Sequence, residues 1–231
     1  MCIRDRFSTG RTASGVLTWG FNSTNFGNML SVLAASAFLP FLPMLSVQLV
    51  LLNLVYDLSC TAIPWDHADS SALKKPAVWE SRSIVRFMLC FGPVSSLLDI
   101  TTYLLLYFCL CPSVLGAPYA ALGEAGRAQF AVLFRSGWFI ESIFTQALVI
   151  HVLRSEKLPF VHSRASLPVF ISTVGGVVLL TALPFTPAGR AVGLCSLPAI
   201  YFALLAAAVL CYLALTSLVK HFYVRRFGKL L

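Results

Sequence analysis

The chain has 231 residues, of which 58% are hydrophobic and only 11% are charged. Soluble domains carry about a quarter charged residues, so the composition excludes an ordinary globular protein and indicates one whose solvent is lipid. The net charge is +8, but the basic residues lie between apolar runs and not on a stripe with interleaved aromatics, which argues against a nucleic-acid partner.

Six apolar stretches approach the length of about 20 residues that a membrane-spanning helix needs. They predict an all-α fold, a polytopic transmembrane bundle of six helices, in the cell (inner) membrane. Pro40 and Pro43 interrupt the helix between the first two stretches. They predict a tight turn there, which would make the first two helices antiparallel neighbours. An Ala- and Gly-containing stretch, 117–131, is predicted to be an extracytoplasmic loop. The six stretches are 21–39, 43–63, 84–110, 138–153, 167–183 and 197–219.

Basic residues mark one side of the predicted membrane protein. They are concentrated at the amino terminus, in the second and fourth connections and in the tail, whereas the other side has only Arg127, Arg135 and Arg190. Because basic loops stay in the cytosol, this asymmetry predicts that both termini are cytosolic.

Seven cysteines are present without a CxxC pair, so a zinc site is not expected. A disulfide is possible among Cys109, Cys111 and Cys195, which fall near one predicted face, although nothing in the spacing demands it. All four histidines are interpreted as structural or solvated.

Charged residues at membrane depth are costly and usually functional. Asn53 and Asp57 are four residues apart and share one face of the second helix, and Asn25 and Asn28 share a face of the first. One carboxylate, three amide oxygens and water suit Mg²⁺, which takes few carboxylates and keeps several waters. These four residues are the principal metal-ligand candidates.

Two further carboxylates, Asp99 on the third helix and Glu141 on the fourth, are secondary ligand candidates that could complete a polar centre. Ser95 and Thr145 lie one helical turn from them. These polar residues could instead have structural roles. Intramembrane polar side chains often only hydrogen-bond between helices, and Asp99 could pair with an arginine at a helix end.

Several strings resemble the carboxy-terminal membrane domain of magnesium-translocating P-type ATPases. NFGNM begins at Asn25, FLPFLPM ends at Met44, NLVYD ends at Asp57 and AIPWD ends at Asp66; GPVSS, DITT, SGWF and YVRRFG follow. NLxYD alone fits many P-type pumps, whereas the FLPFLPM and IPWD strings favour the magnesium group.

The resemblance implies that residues 23–231 are helices five to ten of such a pump. Asn25, Asn28, Asn53 and Asp57 then fall on the family's transport-ligand positions, while a further helix supplies backbone carbonyls to the same ions. Residues 1–22 do not follow the family's stalk pattern, and we expect them to be a truncated or non-native start.

The resemblance also implies partners that this sequence does not contain. The family's DKTG phosphorylation aspartate and TGE loop do not occur, nor does a phosphate-binding G-x-x-x-x-G-K-[ST] loop. ATP would therefore be used only by the intact parent protein. The expected function is the ion-binding and translocating half of an ATP-driven magnesium importer, with Mg²⁺, the lipid bilayer and the missing catalytic half as partners.

Two other functions stay open from the sequence. One is a stand-alone polytopic membrane protein, either a subunit or a passive channel. The other is the membrane half of a calcium or other cation pump. Calcium sites take several carboxylates, and the first two helices carry only one, which argues against a calcium pump.

Overall fold

The computed structural model describes residues 21–66, 81–153 and 165–227, and within them the side chains of residues 30–66, 89–152 and 165–226. Four segments lie outside this part of the chain: residues 1–20, which make up most of the start predicted to be truncated or non-native, the basic connections at 67–80 and 154–164, and the last four residues. Each of the six predicted stretches contains a helix in this part of the chain, whereas six as the number of membrane spans is not confirmed.

We label the six long helices α1 to α6. They are α1 Phe21–Phe38, α2 Ser46–Cys60, α3 Ser81–Leu105, α4 Glu124–Leu153, α5 Leu167–Ala182 and α6 Ala199–Phe227. A wider π-type turn, Leu106–Leu110, and a short helix, Cys111–Leu115, continue α3. Short helical turns also occur at Ile63–Trp65, Tyr119–Ala121, Leu183–Phe185 and Pro187–Ala191.

Four helical stretches of the described chain are long and apolar enough to cross a membrane. They are Ser46–Trp65, Leu89–Leu115, Leu167–Phe185 and Ala199–Arg226. The chain is thus a multi-pass membrane protein, whereas spans at α1 and α4 remain predictions. In α4, Arg135, Glu141 and His151 interrupt the apolar sequence.

The fourth helix starts at Glu124, well before the predicted start at 138. The predicted loop 117–131 is therefore helical over its second half. Sequence reasoning stopped at the apolar run, but packing extends the helix: Phe130 and Phe134 are fully buried, and Phe41 of the α1–α2 connection packs edge-on against both.

Helix α4 is the centre of the bundle, because it packs against α2, α3, α5 and α6. Helix α1 packs mainly along α3, while α2 packs along α4 and α5. The prediction that α1 and α2 are close neighbours is wrong for the described residues, where they do not form an extensive pair. The proline-containing connection separates them, and Arg135 Nε holds it by donating to the Leu42 carbonyl at 2.8 Å.

Candidate functional site

The predicted ligands Asn53 and Asp57 lie on the exposed side of α2. Val50 and Leu54 share that side and are 63% and 53% exposed. Helical periodicity explains the arrangement, since residues three and four apart fall on one face. The buried residues of α2 are Gln48, Leu52, Val55, Tyr56, Ser59 and Cys60.

Asn25 and Asn28 lie in α1, and their side chains are outside the described ones. Because α1 packs on α3, the four principal candidates do not belong to one closely packed helix pair. Their convergence on one ion stays a prediction.

The two secondary candidates form a buried centre between α3 and α4. Asp99 is 2% exposed and Glu141 is 0% exposed, and their carboxyl groups lie close enough to interact. Ser31 of α1 donates from Oγ to Asp99 Oδ2 at 2.5 Å. Neither carboxyl oxygen of Glu141 has a hydrogen-bond partner of good geometry in the described part of the chain. Asp99 and Glu141 thus lie together in a buried polar centre, whereas their role as ion ligands stays a prediction.

Aromatic side chains surround this centre. Trp138 lies beside Asp99 and packs edge-on against Tyr103, with ring centroids 4.6 Å apart. Tyr201 of α6 donates from its hydroxyl to the Gly137 carbonyl at 2.6 Å. A cavity of about 20 Å³, enough for one water, lies between α3, α4 and α6 and is lined by Glu141, Thr102 and Tyr201.

No described basic side chain is among the groups that act on Asp99 or Glu141. Asp99 is therefore not paired with an arginine among the described side chains; Ser31 donates a hydrogen bond to it, and Glu141 and Trp138 lie beside it. Two carboxyl groups that share a buried site without a cationic residue require a proton or a bound cation between them.

Asp57 is not part of that buried pair. Within the described ranges, no three His, Cys, Asp or Glu side chains are grouped so that they could hold a metal ion. The chain thus presents two separate polar features, an exposed face on α2 and a buried centre on α3 and α4.

Sequence reasoning missed Ser31 and Tyr201. A hydroxyl in an apolar stretch is a weak signal, because serine and tyrosine often bond only locally in membrane helices. Only the fold shows that these two hydroxyls lie near the carboxyl pair.

The possible disulfide does not form among the described cysteines, which are all free thiols. Cys109 is exposed, whereas Cys111 is buried in the cluster that Cys195 packs against. Burial raises the pKa of the Cys195 thiol, and a hydrogen bond with Ser136 opposes that shift.

The histidines agree with their structural interpretation where they are described. His151 is buried, and its Nε2 lies 2.9 Å from Thr173 Oγ1. His221 is exposed, and His67 and His162 lie outside the described residues.

Comparison with known proteins identifies the family. The chain is 44% identical over 99% of its length to "Magnesium-transporting ATPase, P-type 1" of Salmonella typhimurium strain LT2. It is 43% identical over 89% of its length to the protein of that name from Escherichia coli K12. These matches span 24% and 22% of the relatives, so the chain covers about a quarter of their length. The family model described as "Cation transporting ATPase, C-terminus" matches residues 41–222, and the chain therefore belongs to that family.

Proposed function

We propose that this chain is the ion-binding and translocating membrane half of an ATP-driven magnesium importer. Its relatives are named as magnesium-transporting P-type ATPases, and the chain corresponds to about a quarter of their length. ATP binding and phosphorylation would belong to the remaining part of such a pump. The chain would lie in the cell (inner) membrane with both termini in the cytosol.

The exposed carboxylate of Asp57 is the observation that carries this proposal. Asp57 lies within Ser46–Trp65, a stretch apolar enough to span the membrane, yet it is exposed on the surface of the bundle. A carboxylate that faced lipid there would be strongly disfavoured. The face that carries Asn53 and Asp57 must therefore meet water, an ion or further protein.

Magnesium chemistry fits this face. Mg²⁺ takes one or two carboxylates and retains several waters, and α2 offers one carboxylate with one amide beside it. The proposal retains Asn25 and Asn28 as further ligands because of the sequence resemblance. A helix from the missing half would cover the α2 face and add backbone carbonyls.

Asp99 and Glu141 form the secondary set of ligands in this proposal. Their carboxyl groups are close together and buried, whereas Asp57 is not among the groups that act on them. Their contribution to magnesium transport should therefore be smaller than that of Asp57.

The test is Asp57→Asn in an intact pump that carries this membrane half. The substitution is nearly isosteric, so packing should survive while the ion loses its anionic ligand. We expect magnesium uptake, and growth that depends on it, to be abolished or strongly reduced. Glu124→Gln is the matched control, because it neutralises an exposed carboxylate at the start of α4. Normal magnesium uptake by the Asp57→Asn pump would remove Asp57 from the site and end the proposal.

A further inference from the structure

The buried side of α2 packs against α5 over the second half of α2 and the turn that follows it. The two helices run in opposite directions, because residues later in α2 meet residues earlier in α5. Their contacts occur at three successive levels: Val55 with Gly176, Ser59 with Ser172, and Asp66 with Ser166.

The closest of these contacts depends on glycine. A methyl group at Gly176 would lie 2.6 Å from Val55 Cγ1 and 3.4 Å from Ser59 Oγ. Carbon atoms do not approach to 2.6 Å without displacement of one of them. Small residues at such positions let two membrane helices approach closely, so Gly176 sets the separation between α2 and α5.

Polar contacts continue the same seam towards the end of α2. Ser59 Oγ lies 3.3 Å from the Ser172 carbonyl, and Ser172 Oγ lies 3.4 Å from the Ser59 carbonyl. Asp66 Oδ1 accepts a hydrogen bond from the Ser166 backbone N–H at 2.8 Å, at the first turn of α5. Asp66 and Ser166 are both buried, at 6% and 7% exposed.

The opposite end of α2 is held by the chain that follows α5. Gln48 Nε2 donates to the carbonyls of Val192 and Gly193, at 3.0 and 3.3 Å. Gly193 has a left-handed backbone (φ 75°), and a methyl group there would lie 2.9 Å from Leu45 Cδ1. Helix α5 and its following loop therefore contact α2 from its first turn to beyond its last.

We propose that α5 is the positioning element for the transport face of α2, and that Gly176 is its principal positioning residue. This inference rests on the proposed function of the Asn53–Asp57 face. Val55 lies between these two residues in the chain and on the opposite side of a rigid helix. A displacement of Val55 by α5 must therefore move the amide and the carboxylate together. Gly176 acts through α2 and contacts no ion.

The test is magnesium-uptake kinetics of the intact pump with Gly176→Ala, and Gly175→Ala is its matched control. The two glycines are adjacent, but a methyl group at Gly175 meets nothing within 4 Å. Since a displacement of about 1 Å can cost about a hundredfold in activity, we expect Gly176→Ala to raise the KM for Mg²⁺ by about tenfold. Gly175→Ala should change it by less than about twofold.

A second substitution separates positioning from general damage. Val55→Ala removes the methyl group that the new side chain strikes. The double variant Val55→Ala with Gly176→Ala should therefore recover most of the wild-type KM. Equal kinetics for Gly176→Ala and Gly175→Ala would overturn the proposal. So would a double variant that stays impaired while present in the membrane at the wild-type level.

If the Gly176→Ala pump does not accumulate in the membrane, Val55→Ile is the alternative variant. It adds one carbon to the same contact from the α2 side. A raised KM in that variant supports the proposal and an unchanged KM overturns it. Equal kinetics for Gly176→Ala and Gly175→Ala, in a pump that Asp57→Asn impairs, would overturn the positioning proposal alone, whereas normal uptake by Asp57→Asn would end the proposed function. Failure of the positioning proposal is therefore distinguishable from failure of the proposed function, which Asp57→Asn tests.

Discussion

Glu141 combines complete burial with two carboxyl oxygens that have no hydrogen-bond partner of good geometry in the described part of the chain. Its nearest charged neighbour is another carboxyl, that of Asp99. A buried acid in this environment destabilises the bundle unless a proton or cation compensates it. A contribution to stability therefore does not explain its presence.

Glu141→Gln should make the bundle more stable. The amide can donate a hydrogen bond to Asp99, and replacement of poorly compensated buried charge is often neutral or stabilising. We expect the melting temperature in detergent to rise by about 2–4 °C. Glu124→Gln is measured beside it and should not change the melting temperature.

Magnesium uptake of an intact pump with Glu141→Gln should fall less than with Asp57→Asn. A lower melting temperature would contradict the stability argument, and an equal loss of uptake would place Glu141 among the principal ligands.

At the scale of the elements, helix pairing decides which polar groups meet. Helix α1 packs along α3, and Ser31 carries its hydroxyl to Asp99. Helix α2 instead packs on α4 and α5, which leaves Asn53 and Asp57 exposed. The two helices that flank one short connection thus serve different polar features.

Ser31→Ala should weaken the pairing of α1 with α3. The change leaves a buried carboxyl without its hydroxyl donor, which costs about 1–3 kcal/mol, so the melting temperature in detergent should fall. Thr101→Ala is the matched control, because it removes an exposed hydroxyl that bonds only within its own helix, to the Leu97 carbonyl. Equal melting temperatures for the two variants would show that the Ser31–Asp99 bond contributes no net stability.

At the scale of the whole molecule, three connections meet at one end of the bundle. Arg135 binds the α1–α2 connection at Leu42. Phe41 of the same connection packs against Tyr119, between α3 and α4. Gln48, in the first turn of α2, binds the α5–α6 loop at Val192 and Gly193. This grouping follows from alternating helices and agrees with a common side for the three loops.

We predict that this end faces outward and the opposite end faces the cytosol. After the native cysteines are changed to alanine, Ala120→Cys should react with a membrane-impermeant maleimide added outside the cell. Arg226→Cys lies at the opposite end of the bundle and is also exposed. It should react only after the membrane is permeabilised. Labelling of Ala120→Cys from the cytosolic side alone would contradict the predicted topology.

The sequence by itself determined the helical architecture and singled out the acids that lie in apolar stretches. Apolar runs of sufficient length and the prolines at 40 and 43 are local signals, and they predicted all six long helices. Asp57, Asp99 and Glu141 stood out because carboxylates in apolar runs are rare. The family resemblance, carried by FLPFLPM and IPWD, was also readable without a structure.

Only the tertiary structure decided which helices pair and which side of each is buried. Contacts such as Ser31 with Asp99, 68 residues apart, and Gly176 with Val55 depend on close packing between distant segments. Helical periodicity places residues on a common face but does not say what that face meets. In a membrane, small residues and single interhelical hydrogen bonds make that choice, because lipid is as apolar as most side chains. The resulting packing buries Glu141 beside Asp99 and leaves Asp57 exposed.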